Sequence, residues 1–131
     1  MPRYTLSKDE RLRSRKAIEQ LFAEGHSVNS FPLRLLWHEV LPAVSGAAQL
    51  QVMFAVSKRK FPRAVDRNRI KRLMRENFRL LKPGLLERLD PAHQFQMACI
   101  FIGDEIPPYA AIQKAITPAL ERWIKKTNAA R

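Results

Sequence analysis

Acidic residues are scarce in this chain, and the deficit is too large to be neutral for function. The 131 residues include 12 Asp and Glu against 24 Lys and Arg, which gives a formal net charge of +12 and an isoelectric point near 10.7. Such an excess favours a polyanionic partner, most often nucleic acid, because cations that neutralise phosphates release condensed counterions. An anionic membrane surface is the competing interpretation.

Cysteine is nearly absent as well. The single cysteine, Cys99, cannot form an internal disulfide or a cysteine-rich zinc site. A buried cysteine in a strand is the favoured interpretation. The alternative is a catalytic thiol, with the histidines His26, His38 and His93 elsewhere in the chain.

No group of residues points to an active site on the protein. The adjacent acids Asp9-Glu10 and Asp104-Glu105 lack the helical partner arrangement that would suggest acid–base catalysis. Only four glycines are present, and they form no glycine-rich loop for phosphate. We therefore expect no catalytic residue, no metal site and no cofactor on the protein itself.

Long hydrophobic runs are missing too. The first ten residues contain no apolar stretch of the kind found in secretory signals, and other apolar runs fall far short of the roughly 20 residues of a spanning helix. We therefore predict a cytoplasmic protein without a membrane partner.

What the chain does contain predicts one α/β (α+β) domain over residues 1–131. We expect helices at 14–24, 63–82 and 109–127, strands at 30–40, 50–57 and 96–102, a basic arm at 1–13 and a frayed tail at 128–131. The strand–helix–strand order within 50–102 places two strands in parallel. The fold class is therefore a sandwich of helices on a sheet with few strands.

Residues near the N-terminus set the first boundaries. Leu6 and Leu12 can anchor the arm onto the domain. Ser14 can cap the first helix, and Gly25 can end it in a left-handed conformation. Pro32 limits the start of the following strand to an edge or a bulge.

Prolines set the later boundaries. Pro83-Gly84 is predicted to stop the second helix. Pro118 is predicted to kink the last helix or to restart it with Thr117 as a cap.

The second helix has one apolar side and one strongly basic side. At about 100° per residue, Ile70, Met74, Phe78 and Leu81 share one side, with Leu73 at its edge. The remaining surface carries Arg67, Lys71, Arg72, Arg75, Arg79 and Lys82, with Asn68 in the middle. One side can bury against a sheet while the other presents guanidinium and ammonium donors.

The charges of this helix are poorly balanced. Only Asp66 and Glu76 accompany eight basic residues from Arg63 to Lys82. A solvated helix surface usually mixes signs at i, i+4 spacing, and like charges at that spacing destabilise a helix. The imbalance favours a partner that neutralises it, and arginine suits bidentate phosphate binding.

Residues 64–79, Ala-Val-Asp-Arg-Asn-Arg-Ile-Lys-Arg-Leu-Met-Arg-Glu-Asn-Phe-Arg, resemble the signature of the bacterial ribonuclease P protein component. That signature has an Arg-Asn-Arg core after Ala-Val, then Lys-Arg, then Arg-Glu and an aromatic-Arg pair. The Val-Ser-Lys-Arg of 56–59 is similar to the strand end that precedes the helix in this family. The match is long and ordered, and is therefore specific.

The resemblance implies a small mixed sheet of about four strands with three helices. It also implies a left-handed strand–helix–strand crossover, although the general rule predicts a right-handed one. In function, it implies a monomeric protein that binds the ribonuclease P RNA subunit and the 5′ leader of precursor transfer RNA. The RNA and its Mg²⁺ ions would remove the leader, and the protein alone would be inactive.

The resemblance also implies the site residues. The RNA-binding positions are Lys58, Arg59, Lys60, Arg67, Asn68, Arg69, Lys71, Arg72, Arg75 and Arg79. The leader cleft of the family lies between the first helix and the sheet, and its positions here are Ile18, Phe22 and Leu36, beside Trp37. Among those three cleft positions only Phe22 offers an aromatic face for base stacking. Core packing is the alternative role for Phe22.

Other functions stay open from the residues alone. A general RNA- or DNA-binding protein would use the same helix without a role in transfer RNA processing. A membrane-surface or calmodulin-target helix would have to detach, whereas the flanking strands and prolines indicate an embedded helix. A stand-alone nuclease would need a carboxylate or histidine cluster, which the sequence does not offer.

Overall fold

The computed structural model describes residues 6–129, so residues 1–5 of the predicted arm and 130–131 of the predicted tail lie outside it. The helices are α1 (Arg15–Glu24), α2 (Ala64–Glu87) and α3 (Tyr109–Ala129), and the strands are β1 (His26–Ser30), β2 (Leu33–Glu39), β3 (Leu50–Val56) and β4 (Phe95–Phe101). These elements confirm the predicted α+β class with three helices and four strands. The assignment of all of 1–131 to one domain stays a prediction.

The four strands form one mixed sheet in the order β1-β2-β4-β3. β2 pairs antiparallel with β1 and β4, whereas β3 and β4 are parallel neighbours. α2 is thus the crossover between two parallel strands, as predicted, and its handedness stays an expectation from the resemblance. Because α2 follows β3, its N-terminus lies at the end of the sheet where β3 and β4 finish.

Helices cover both faces of the sheet and produce the predicted sandwich. α2 and α3 pack on one face over the main core, which includes Leu35, Met97 and Trp123. α1 packs on the other face over a smaller cluster that contains Leu21 and Leu36. Leu35 and Leu36 serve different layers because successive strand residues point to opposite faces.

The N-terminal arm is anchored as predicted. Leu6 and Leu12 are buried. The Leu12 N–H donates to the Val52 carbonyl at 3.0 Å, and this bond lays the arm along the outer edge of β3. A 3₁₀ turn (Lys8–Glu10) interrupts the extended course that the sequence suggests.

α1 begins as predicted but ends differently. The Ser14 hydroxyl accepts a hydrogen bond from the Ala17 N–H at 3.2 Å and caps the helix. The predicted left-handed conformation of Gly25 is wrong, because its φ is −69°. Glycine is needed there for another reason: a Cβ would lie 2.5 Å from the Leu21 carbonyl oxygen.

The predicted strand at 30–40 is the second arm of a hairpin, which corrects its boundary. β1 pairs with β2 so that Ser30 lies opposite Leu33, and Pro32 occupies the turn between them. The sequence pattern does not predict β1, because its residues His-Ser-Val-Asn-Ser include only one buried side chain, Val28. An edge strand with so little apolar surface gives no periodic signal.

The predicted stop of α2 at Pro83-Gly84 is wrong. The helix continues to Glu87, and Leu85 in its last turn is buried. Burying a leucine is worth about 1.5–3 kcal/mol, which is comparable to the roughly 3 kcal/mol cost of a proline inside a helix. Tertiary packing therefore overrides the local signal.

α3 is one helix through Pro118, so the predicted restart with Thr117 as a cap is wrong. The Thr117 hydroxyl instead donates to the Gln113 carbonyl at 3.3 Å. Ile116 and Ala119, on either side of the proline, are fully buried and hold both parts of the helix on the core. α3 extends to residue 129, so the first half of the predicted frayed tail is helical.

Candidate nucleic-acid interface

The apolar stripe of α2 determines which of its side chains reach solvent. Ile70, Met74 and Phe78 are buried as predicted, with relative exposures of 0%, 0% and 1%. Leu73 and Leu81 are half-buried at the edges of the stripe. On the rest of the helix, Asn68, Arg69, Arg72 and Arg75 are exposed, and Arg67 and Lys71 are half-buried.

Six of the predicted RNA-binding cations have neither a carboxylate within salt-bridge distance nor a side-chain hydrogen bond anywhere in residues 6–129. They are Lys58 and Arg59 in the turn after β3, and Arg69, Lys71, Arg72 and Arg75 on α2. We call these six side chains, with Asn68 among them, the basic face. Uncompensated charge at this density suits a polyanion, because its phosphates would supply the missing counter-charges.

Two predicted RNA-binding side chains already have partners within the protein. The Arg67 Nη1 donates to the carbonyls of Phe61 and Pro62, each at 2.8 Å. The Lys60 Nζ donates to the Ile102 carbonyl at 3.1 Å and pairs with Asp104 at 3.0 Å. Both side chains hold the β3–α2 turn in place beside the basic face.

The cations towards the C-terminus of α2 are paired. Arg79 lies 2.7 Å from Glu76. The expectation that Lys82 belongs to the exposed basic surface is wrong, because it is 3% exposed and its Nζ lies 3.0 Å from the Glu10 carboxylate. Lys82 therefore ties the N-terminal arm to α2.

Glu10 is charged because of its partners. Burial alone would raise the pKa of its carboxyl, but the Ser7 N–H at 2.9 Å and the Lys82 ammonium outweigh burial. The pKa of Glu10 therefore lies below its ordinary value of 4.5.

The three predicted leader-cleft residues differ in exposure. Phe22 is 47% exposed, Ile18 is half-buried, and Leu36 is 6% exposed beneath α1. Ile18 and Leu36 belong to the same cluster between α1 and the sheet, together with Met53 and Ile100. The exposure of Phe22 favours an accessible ring over the alternative role in core packing.

The predicted cleft lies on the opposite face of the sheet from α2. Ala17, Gln20 and Glu24 on one flank of α1 border the end of the sheet marked by His38 and Gln96. The flank with Ile18 and Phe22 is the opposite one, so it faces the end where β3 and β4 finish. We call this space, between that flank and the sheet, the leader groove.

Sequence reasoning did not single out the outer edge of β3. Phe54 packs edge-on against Phe78 and lies under the Arg75 guanidinium, 5.9 Å from its ring centroid. A nearly continuous apolar run such as 50–57 predicts a strand buried on both faces. The run is typical of a central strand, and that prediction is wrong, because β3 lies at the edge of the sheet with β4 as its neighbouring strand.

Several further groups bear on the chemistry. Cys99 is buried in β4, as predicted, and burial raises the pKa of its thiol to about 12. In residues 6–129, no three His, Cys, Asp or Glu side chains lie together in a way that could hold a metal ion. No helix in that range is both long and apolar enough to cross a membrane.

The fold and the basic face define a class: a small α+β protein with one helix adapted to a polyanion. Comparison with known proteins makes the family specific. The Ribonuclease P family model matches residues 6–122. The ribonuclease P protein component of Porphyromonas gingivalis W83 is 35% identical over 122 residues, which cover 92% of this chain and 88% of the relative. That of Chlorobium phaeobacteroides is 35% identical over 122 residues, covering 86% and 84%.

Solved structures agree with the family match. The RNase P protein from Thermotoga maritima superposes with a TM-score of 0.65 at 25% identity, covering 86% of this chain and 96% of that one. The Staphylococcus aureus RNase P protein has a TM-score of 0.67 at 21% identity, covering 86% and 94%, and supports the fold. The chain belongs to the ribonuclease P protein family.

Proposed function

We propose that this chain acts as the protein component of ribonuclease P, the endoribonuclease that removes the 5′ leader of precursor transfer RNA. The protein binds the ribonuclease P RNA subunit and the leader, and the RNA with its Mg²⁺ ions performs the hydrolysis. The observation that carries the proposal is the basic face, six cations without a carboxylate partner in residues 6–129. Four of them lie on the helix that bears the family motif, and two lie in the turn before it.

The basic face is proposed to contact the RNA subunit. Arg69 and Arg72 can each offer paired N–H donors to phosphate oxygens of the RNA subunit. The N-terminus of α2, where Arg63 supplies no side-chain cap, adds backbone N–H groups and the positive end of the helix dipole. Arg79, held by Glu76, contributes less net charge than its sequence position suggests.

The leader groove is proposed to take the unpaired leader. Phe22 supplies a stacking face, whereas the half-buried Ile18 supplies apolar contact without a preference among bases. The predicted contact by Leu36 is not part of this proposal, because Leu36 is buried beneath α1. The groove is therefore tolerant of leader sequence. Because mature transfer RNA has no leader, this contact adds affinity for the precursor alone.

The same proposal includes the oligomeric state and the location of the protein. A protein that assembles with an RNA through one charged face needs no protein partner, so we propose a monomer. Its RNA partner and substrate are cytoplasmic in bacteria, and we propose the same location for this chain.

Reconstitution tests the proposal. Purified protein is added to a bacterial ribonuclease P RNA at low Mg²⁺, and release of the leader from precursor transfer RNA is measured. We expect no cleavage by protein alone and faster cleavage by the mixture than by RNA alone. Arg69→Ala/Arg72→Ala should lose the stimulation, and the charge-matched control Lys114→Ala/Lys125→Ala on α3 should keep it.

The other outcomes identify the alternatives. RNA binding without stimulated cleavage indicates a general nucleic-acid-binding protein. Binding to anionic liposomes in preference to RNA indicates a membrane-surface helix. Metal-dependent cleavage by RNA-free protein, with contaminating nuclease excluded, indicates a stand-alone nuclease.

A further inference from the structure

A groove along the open edge of β3 lies between the leader groove and the basic face. The N-terminal arm and α2 form its walls, its volume is about 290 Å³, and Arg11 and Arg75 line it together with Met53 and Phe54. No acidic side chain of the described residues lines it. Two guanidinium groups, one from the arm and one from α2, therefore line the same groove, and no carboxylate of residues 6–129 in its lining balances their charge.

The backbone of β3 faces the same space. β3 is an edge strand, and the Val52 carbonyl accepts the Leu12 N–H of the arm, so it points away from β4. Because backbone groups alternate sides along a strand, the N–H of Phe54 also points to the open edge. A backbone N–H beside two guanidinium groups is a donor set suited to one phosphate.

The ring of Phe54 orients one of these guanidinium groups. Arg75 lies over the ring at 5.9 Å from its centroid, and the ring itself is held edge-on by Phe78 at 5.9 Å. An arginine stacked on an aromatic face keeps the N–H donors at its edge available. Arg75 can therefore contact the ring and a phosphate at once.

The groove is continuous with the surface proposed for the leader. Met53 lines it and also belongs to the cluster of Ile18 and Leu36 beneath α1. We infer that the unpaired leader strand of precursor transfer RNA crosses the edge of β3 here, with one phosphate held by Arg11, Arg75 and the Phe54 N–H. This inference rests on the proposed function and adds Arg11 and the strand edge to it.

The test uses the holoenzyme assembled from the full chain and ribonuclease P RNA. Precursor transfer RNAs carry a single methylphosphonate, which removes one phosphate charge, at successive leader positions. We expect Arg11→Ala to weaken precursor binding roughly tenfold, as for a lost charge-assisted hydrogen bond. One methylphosphonate position should weaken wild-type binding similarly and add nothing to the loss in Arg11→Ala.

Matched variants separate this contact from general charge. Arg13→Ala removes the same charge from the next basic residue of the arm, outside the groove, and should bind the precursor within about twofold of wild type. Arg75→Ala, on the other wall, should show the same non-additivity with the same methylphosphonate. It keeps the test valid if a melting curve shows that Arg11→Ala disturbs the arm.

Three results would overturn the inference: an equal loss of mature transfer RNA binding, an equal effect of Arg13→Ala, or full additivity at every methylphosphonate position. Its failure is distinguishable from that of the proposed function. If the wild-type holoenzyme does not prefer precursor over mature transfer RNA, the leader function itself is wrong.

Discussion

The N-terminal half of α2 carries more positive charge than the C-terminal half, and the two halves use that charge differently. In the N-terminal half, Ala64–Arg75, exposed cations lack a carboxylate partner within the described part of the chain. In the segment Glu76–Arg88 the cations are paired, Arg79 with Glu76, Lys82 with Glu10 and Arg88 with Glu121. The first half is free to attract a polyanion, whereas the second ties α2 to the arm and to α3. A run of basic residues is therefore not one functional unit.

The largest loss of stability is expected from substitutions in the apolar stripe, which is buried along both halves of α2. Ile70→Asp and Phe78→Asp each place an unpaired carboxylate in the core, which costs several kcal/mol and removes most of the 5–15 kcal/mol of a typical domain. Circular dichroism during heating should show no cooperative transition. Leu80→Asp is the matched control, because Leu80 is 47% exposed on the same helix. If the two stripe variants melt as the wild type does, the orientation of α2 is wrong.

The second largest loss of stability is expected at the ion pair between Lys82, in the C-terminal half of α2, and Glu10. Glu10→Gln leaves the Lys82 ammonium without its carboxylate and should cost about 2 kcal/mol, less than for a fully buried pair because Glu10 is partly exposed. Urea denaturation measures the loss. Glu87→Gln, an acid near the same contact but without an ion pair to Lys82, should change stability by less than about 0.5 kcal/mol.

The same pair predicts a pH dependence with a definite sign. Because the folded-state pKa of Glu10 is lowered, its contribution is complete above the ordinary value of 4.5 and is lost as pH falls through the folded-state pKa. The stability difference between wild type and Glu10→Gln should therefore shrink as pH falls below 4.5. A difference that stays constant or grows in acid contradicts the pairing.

Substitutions in the N-terminal half should act on RNA binding and spare the fold. Lys71→Ala and Arg72→Ala should weaken binding to the RNA subunit by roughly tenfold and change stability within about 0.5 kcal/mol. Arg67→Ala should do both, because its guanidinium also holds the carbonyls of Phe61 and Pro62 and its loss should cost about 1 kcal/mol of stability. Titration of RNA and thermal melting of the same samples give both quantities. Unchanged affinity in all three variants contradicts the assigned face.

The smallest effect is expected in the leader groove. Phe22→Ala should reduce holoenzyme affinity for precursor transfer RNA by about 1 kcal/mol, the lower end for one stacked base, and leave mature transfer RNA unaffected. Phe31→Ala is the control, because Phe31 is 75% exposed in the turn between β1 and β2, outside α1. If Phe22→Ala is folded and both substrates lose affinity equally, Phe22 does not contact the leader.

Sequence patterns predicted the parts of this molecule that depend on local periodicity. Ile70, Met74 and Phe78 lie on the buried side of α2 because a helix with that spacing has only one apolar side to bury. The strand–helix–strand order gave the parallel pair β3 and β4 for a similar reason, since connected parallel strands need a crossover.

Sequence patterns gave wrong predictions where a contact outside the local sequence determines the structure. Pro83 stops an isolated helix, but burial of Leu85 carries α2 past it. Lys82 has the periodicity of an exposed cation, yet Glu10, far away in sequence, draws it into a buried pair. Ion pairs with residues far away in the sequence also distinguish the paired cations of α2 from its unpaired ones. A short stretch of sequence does not contain that information.

The most direct test of this division is the salt dependence of binding to ribonuclease P RNA. Arg72→Ala and Arg88→Ala each remove one arginine, the first from the basic face and the second from a pair with Glu121 at 2.9 Å. We predict that Arg72→Ala lowers the slope of log affinity against log salt by about one, because one phosphate contact is lost. Arg88→Ala should keep the wild-type slope. Equal slopes for the two variants would contradict the account.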